Sequence, residues 1–297
     1  MCIRDRLCTG PAKISLREIF PGDESTRDNR LKPMITLSRE IRFALVPQGT
    51  QFEPKPSNSW AGWPTTLSIA PHLKLQARIE GNPDPITGYV CNVAILDDVL
   101  RAIVTEHLIP NWGDAPHQAS GPSLLFEVFH QFQNRWKSTE QLVSLTLRLS
   151  DQLCFTLIPE NEHMLQLTQQ FEFSAAHRLH CDSMTDQENR DTFGKCNNPN
   201  GHGHNYVFDV TVEPNTNAAT DLEELQQVVK SSVVDKLDHK NLNADIECFQ
   251  TVNPSVENIS MVVFDWLKSG FSEANFGANL VAVKVFETPK TWAEYRG

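Results

Sequence analysis

Three histidines and one cysteine in the second half of the chain have the types and spacing of a metal centre. His177 is followed by Cys196, His202 and His204, the last three inside the run FGKCNNPNGHGHNY. Residues two apart on an extended strand project from the same face, so His202 and His204 can offer both imidazoles to one ion. Three neutral nitrogen donors suit zinc. Three protein ligands with a fourth position open describe a catalytic zinc site, because structural sites are usually closed by four side chains, often thiolates. The plainer reading of an isolated HGH is a pair of surface histidines in a glycine- and asparagine-rich loop. Here the surrounding residues argue for the metal.

The elements that must position these residues are legible from periodicity. From Leu165 the chain gives a strand (LQLTQQFEFSAAH), a polar loop to Gly203, a strand (NYVFDVTVE), a helix (DLEELQQVVKSSVVDKL), a loop, a helix (SVENISMVVFDWLKSGF) and a final strand (LVAVKVFET). From Met34 the same order recurs in ITLSREIRFALV, HLKLQARIEG, NVAILDDVLRAIVTEHL, SLLFEVFHQFQNRWKS and QLVSLTLRLS. The strands alternate by twos, the mark of half-buried antiparallel strands. The helices repeat apolar residues at threes and fours: Leu222, Leu225, Val228 and Val229 in one, Val93, Leu96, Val99 and Leu100 in the other.

This pattern predicts an α+β protein of two tandem units, each an antiparallel sheet with two helices packed on one face. The first unit spans 31–158 and the second 163–297, with the linker falling between about 150 and 163, where Pro159, Glu160 and Asn161 interrupt the pattern. Residues 1–30 have no usable periodicity and read as a disordered or artefactual leader. With Glu80 and Glu213 taken as equivalent, Ile69 stands opposite His202, Pro71 opposite His204 and Phe43 near the counterpart of His177. The first unit is therefore expected to bind no metal there.

Composition narrows the function. The 297 residues are 40% hydrophobic and 21% charged, with no apolar run long enough to cross a bilayer, so no membrane span is expected. A net charge of -11 argues against nucleic-acid binding through a broad basic face, and an anionic ligand would need a local basic pocket. Arg178, Lys195 and Lys240 are placed to supply one. Seven cysteines without regular spacing, and no convincing signal peptide, point to the cytoplasm. Cysteines other than Cys196 read as small apolar residues.

With FEFSAAHRL, FGKCNNPNGHGHNY, LDHKNLN, PSVEN and VFETPKTWAEY in this order, residues 165–297 resemble the 6-pyruvoyl-tetrahydropterin synthase family. The first half resembles it only in element order, as a degenerate copy of the same tunnelling fold. The resemblance implies zinc held by His177, His202 and His204. It also implies a catalytic group of Cys196, Asp238 and His239, and a pterin ring anchored by Glu287. The implied reaction converts 7,8-dihydroneopterin triphosphate to 6-pyruvoyl-tetrahydropterin and triphosphate without an external redox cofactor, and no nucleotide-binding glycine fingerprint is present.

The chemistry of each residue type fits its implied role. Cys196 can serve as base only as a thiolate, and a free cysteine with pKa ~8.5 is mostly protonated; Lys195 and the zinc charge are expected to favour the anion. His239 is a natural proton carrier and Asp238 could orient it. Adjacent residues on one strand point apart, so this pair must sit in a turn or at a helix end. Ser255 and Glu257 match the family's Thr-x-Glu helix start and read first as a helix cap, second as substrate contacts. Arg178 and Lys195 are triphosphate contacts on charge alone.

The resemblance also implies oligomers whose strands close a barrel. Three two-unit chains would imitate a hexamer, with one ring of first halves and one of catalytic halves, and Asp238 and His239 serving a neighbour's zinc. Two alternatives keep the fold: a 6-carboxy-tetrahydropterin synthase, and a non-catalytic pterin-binding module. In the carboxy enzyme the cysteine typically stands closer to HGH than Cys196 does to His202.

Overall fold

The structure is a computed structural model and describes residues 34–46, 62–65, 69–114, 120–159, 164–215 and 221–297. The expected leader and the residues just after Pro159 lie outside the described residues. Strands β1 (Ile35–Ala44), β2 (His72–Gly81), β3 (Gln141–Arg148) and β4 (Leu153–Ile158) come from the first half, and β5 (Met164–His177), β6 (His202–Pro214), β8 (Ala278–Thr288) and β9 (Thr291–Tyr295) from the second. They run in the order β1-β2-β3-β4-β5-β6-β8-β9, all antiparallel, and the two-residue β7 (Lys240–Asn241) lies parallel to β5.

Alternation decides which face is buried. Leu73, Leu75, Ala77 and Ile79 of β2, and Tyr206, Phe208, Val210 and Val212 of β6, all point to one side and are almost wholly buried. The helices cover that side. The first half supplies α1 (Val93–Ile103), a π-helical turn (Val104–Leu108), α2 (Ile109–Asp114) and α3 (Gly121–Arg135). After α4 (Asp186–Phe193), the second half supplies α5 (Leu222–Val229), a π-helical turn (Lys230–Val234), α6 (Asp235–Leu237), α7 (Leu242–Asp245) and α8 (Val256–Ala274). Leu96, Leu100, Leu225, Val228 and Val229 are buried as their spacing requires, while Val93 stays exposed. The other face is polar, with Thr146 bonded to Thr156, Thr168 to Thr211 and Gln170 to Asp209.

Several expectations change. Leu153–Ile158 is a strand, not linker: it pairs with β3 on one side and with β5 on the other, from Leu153 opposite Gln169 to Ile158 opposite Met164. The two halves thus share one sheet. That continuity contradicts an assembly with first halves in one ring and second halves in another, because it would require the β4–β5 hydrogen bonds to break. The chain also turns once more after Thr288, into β9, so the strand carrying Glu287 is the penultimate one. Helix α4, closed by a capping box of Thr185 and Glu188, occupies part of what read as polar loop. Its only buried residue is Asn189, so it carries no apolar stripe to betray it.

The register corrects one equivalence. Leu37 pairs with Ile79 and Phe43 with Leu73, as Leu167 pairs with Val212 and Phe173 with Tyr206. Phe43 therefore takes the place of Phe173 and not of His177. Ile69 and Pro71 lie exposed, and among the described residues no metal-ligating cluster forms in the first half.

The β4–β5 seam makes a clear stability prediction. Leu167 is 1% exposed between Phe155 and Val212. Leu167→Ala should lower unfolding free energy by about 2–5 kcal/mol, read as a reduced urea midpoint.

Candidate metal centre

The histidines meet because of one pairing: His177, the last residue of β5, is opposite His202, the first of β6, and Ala175 is opposite His204. All three imidazoles therefore point to the buried, helix-covered side. Gly201 makes the entry to β6 possible. Its φ is +68°, and a Cβ there would lie 3.0 Å from the His177 carbonyl oxygen, so only glycine turns the chain this closely.

His177 is completely buried, and its Nδ1 donates to the carbonyl of Pro254 at 2.7 Å. That bond fixes the tautomer and leaves the Nε2 lone pair facing the cluster. Nε2 of His202 lies 3.1 Å away. Oε1 of Glu287 lies 3.3 Å from His177 Nε2 and 3.5 Å from His204 Nε2, and all four donor atoms fall within 4.8 Å of one another. A tetrahedral ion with ligands at about 2.0–2.1 Å sets its donors about 3.3–3.4 Å apart. The donor set fits zinc. Burial, the largest cause in each case, holds His177 and His204 below the usual histidine pKa, and neutral imidazole is the form that ligates. The Nε2 of His204 is buried with no hydrogen-bond partner, as a nitrogen reserved for an ion would be.

Glu287 lies beside the histidines. Alternation along β8 turns it to the same side as Val283 and Val285, which are buried, and it lands among the imidazoles. Its Oε1 thereby stands beside the His177 and His204 nitrogens.

Cys196 sits half-buried in a single turn of 3-10 helix, Gly194–Asn197. The segment after His177 holds it: Leu179 N–H donates to the Cys196 carbonyl at 2.9 Å, Asn197 Nδ2 donates to the Leu179 carbonyl at 2.7 Å, and Arg178 Nε donates to the Asn197 carbonyl at 3.3 Å. Burial first, and the Glu287 carboxylate second, push the Cys196 thiol up. This is opposite to the expected lowering by Lys195, which is exposed. Arg178, expected to face triphosphate, instead clamps this loop and also reaches His180.

Asp238 and His239 do sit at a helix end. Asp238 caps α6 and His239 adopts φ +58°, which lets neighbouring side chains meet. Asp238 Oδ1 accepts from the Ser174 N–H at 2.8 Å, and Oδ2 accepts from His239 Nδ1 at 2.7 Å. His239 is largely exposed and borders an open cleft of about 630 Å³ that His204, Ser174, Asn205 and Lys240 also line. His239 and His204 of the same chain therefore line one cleft.

Ser255 is the N-cap of α8, its hydroxyl accepting from Asn258 N–H. Glu257 follows in the first turn, exposed, and its carboxylate has no partner among the described residues. Sequence reasoning missed Pro254, whose carbonyl orients His177, and Tyr206. The signal for Tyr206 was present in HGHNY: a third residue at the spacing of two that joined the histidines.

Asp238 gives a pH prediction. Donation by the Ser174 N–H, then by His239, holds its carboxyl below the ordinary aspartate value of 3.8. A depressed carboxyl contributes stability above 3.8 that is lost as pH falls through its folded pKa. In Asp238→Asn the acid limb of stability below 3.8 should be shallower than in the parent, measured by denaturant unfolding across pH.

Comparison with known proteins places this geometry. The family model for 6-pyruvoyl tetrahydropterin synthase matches residues 166–297. A Caenorhabditis elegans protein provisionally named 6-pyruvoyl tetrahydrobiopterin synthase is 45% identical over 129 residues, covering 42% of this chain and 89% of its own length. The Homo sapiens 6-pyruvoyl tetrahydrobiopterin synthase is 38% identical over 136 residues, covering 44% of this chain and 91% of its own length. The solved structure of Caenorhabditis elegans 6-pyruvoyl tetrahydropterin synthase aligns at 41% identity and a TM-score of 0.41 over 45% of this chain and 96% of that one. Through its second half, the chain belongs to the 6-pyruvoyl tetrahydropterin synthase family.

Proposed function

We propose that this chain is a zinc-dependent 6-pyruvoyl-tetrahydropterin synthase acting on 7,8-dihydroneopterin triphosphate. The observation that carries the reading is the convergence of His177 and His202 nitrogens, 3.1 Å apart, with His204 and with Cys196 close by. His177, His202 and His204 hold the ion. Zinc, when bound, supplies a Lewis acid that acidifies a ligand hydroxyl and its neighbouring C–H, and stabilises enolate-like charge. Cys196 takes the proton, and Asp238 and His239 carry protons along the shared cleft. Glu257, exposed beside the segment that orients His177, keeps both oxygens available for the N–H and NH2 of a pterin ring. Ser255 adds a hydroxyl there. Lys240, on the cleft wall, and exposed Lys195 are the cations available to triphosphate, since Arg178 is engaged in the loop.

The thiol of Cys196 is raised by its surroundings, so the thiolate needs a nearby positive charge. An ion on the three imidazoles provides one. The five residues between Cys196 and His202 favour the pyruvoyl product over the carboxy product.

The first half reads as a second copy of the same unit. Each half has an extra residue at the same place: Val143 bulges opposite Arg78 and Ile79, and Val281 opposite Thr211 and Val212. Each also has a π-helical turn after its first sheet-packing helix. These agreements support duplication, because bulges are built-in features of a strand pair. Closure of the open sheet then takes whole chains, each contributing both units to one ring.

Zinc-loaded protein incubated with dihydroneopterin triphosphate should release triphosphate and yield the pyruvoyl product by mass spectrometry. A carboxy product or no turnover would refute this assignment. Cys196→Ala should lose about 10²–10⁴-fold in turnover while retaining zinc, whereas His202→Ala should lose the zinc itself, by metal analysis.

A further inference from the structure

His177 is wholly buried, and the group that settles its tautomer is a backbone carbonyl, that of Pro254. Whatever holds that carbonyl is part of the site. Pro254 is buried at the centre of a three-residue turn, in which the Ser255 N–H donates to the Asn253 carbonyl at 2.8 Å. Such a turn suits proline, whose locked φ of about −65° lies close to the −75° or so that the turn asks of its central residue. A single hydrogen bond is nevertheless a soft mount.

Asn258 supplies a second bond. Its Nδ2 donates to the same Asn253 carbonyl at 2.8 Å, reaching back from the first turn of α8 to a residue that precedes the helix cap, Ser255. The helix does not call for this contact. A helix start has N–H groups in need of acceptors, whereas Asn258 offers a donor, from a residue type of low helix propensity. The turn is also tied on its other side, where Asn253 Oδ1 accepts from the His180 N–H at 2.9 Å. Clamped at Asn253 from both directions, it presents the Pro254 carbonyl to His177 Nδ1 at 2.7 Å.

We propose that Asn258 is a positioning residue: by holding the turn around Pro254 it keeps that carbonyl on Nδ1 of His177, so that Nε2 of the ring is left for the ion. A neutral imidazole that ligates through Nε2 must carry its proton on Nδ1. With the carbonyl swung aside, the proton would be free to sit on Nε2, which lies 3.1 Å from the Nε2 of His202. It would then occupy the lone pair that the ion needs. This role rests on the metal reading proposed above and extends it to a residue with no donor atom in the cluster.

The test uses the full-length protein and two variants: Asn258→Ala removes the amide, and Asn258→Asp keeps its shape but puts an acceptor in place of the donor. In zinc-free protein at pH about 8, above the ordinary imidazole value of about 6.5, nitrogen NMR of the histidine rings should show parent His177 protonated at Nδ1 alone. Its signals are assigned by their loss in His177→Gln. Both Asn258 variants should show a share of the Nε2-protonated form. Loaded with zinc, they should release it to excess EDTA about tenfold faster than the parent, within the range by which groups behind metal ligands tune affinity. Met261→Ala, at an exposed position of the same helix, should match the parent in both readings. If Asn258→Ala fails to fold, Asn258→Asp decides. Release at the parent's rate, or faster release with His177 still protonated at Nδ1 alone, would overturn the proposal. A parent protein that binds no zinc would overturn the metal reading itself, and this proposal with it.

Discussion

The antiparallel register of β5 against β6 is the constraint on which the site depends. It sets His177 opposite His202 and Ala175 opposite His204, and the side-chain period of two does the rest. A slip of one residue would turn His202, His204, Tyr206, Phe208, Val210 and Val212 from the buried side to the polar side together. The register is secured far from the histidines, by the apolar residues of β6 and the core they fill. The energy that orders the donors is thus mostly hydrophobic, although none of the donors is.

Around that register the protein assembles groups that oppose one another in isolation. Two imidazole nitrogens are 3.1 Å apart, and the Pro254 carbonyl has already claimed the His177 proton on the far side of its ring. Burial keeps His177 and His204 neutral, while the same low-polarity surroundings hold the Cys196 thiol in its protonated form. A single cation would answer both conditions, engaging the lone pairs and favouring the thiolate.

Among the described residues, the two halves share local features without sharing the histidine cluster. Their sheets carry the same bulge and their helices the same π-helical turn. Yet Ile69 and Pro71 precede β2 and are exposed, whereas His202 and His204 lie on β6, and Leu73 pairs with Phe43 as Tyr206 pairs with Phe173. In both halves the core positions keep the alternation of apolar residues. The histidines of the second half stand at the strand ends, where the core does not require them.

Sequence alone determined the α+β class, the long strands, the principal helices and the histidine trio, because each is a local periodic pattern and the trio follows from spacing on a strand. It did not reveal α4, whose residues are polar, or β4, whose six residues looked like the approach to a linker. Nor did it show which groups Glu287 and Arg178 touch. The charge of a side chain is legible in one dimension, but its partner is not: Glu287 meets the imidazoles through a strand register set more than eighty residues away, and Arg178 turns to a carbonyl its own loop exposes. Whether two halves share one sheet, and which carboxylate faces the metal donors, are matters of long-range pairing, which only the tertiary structure decided.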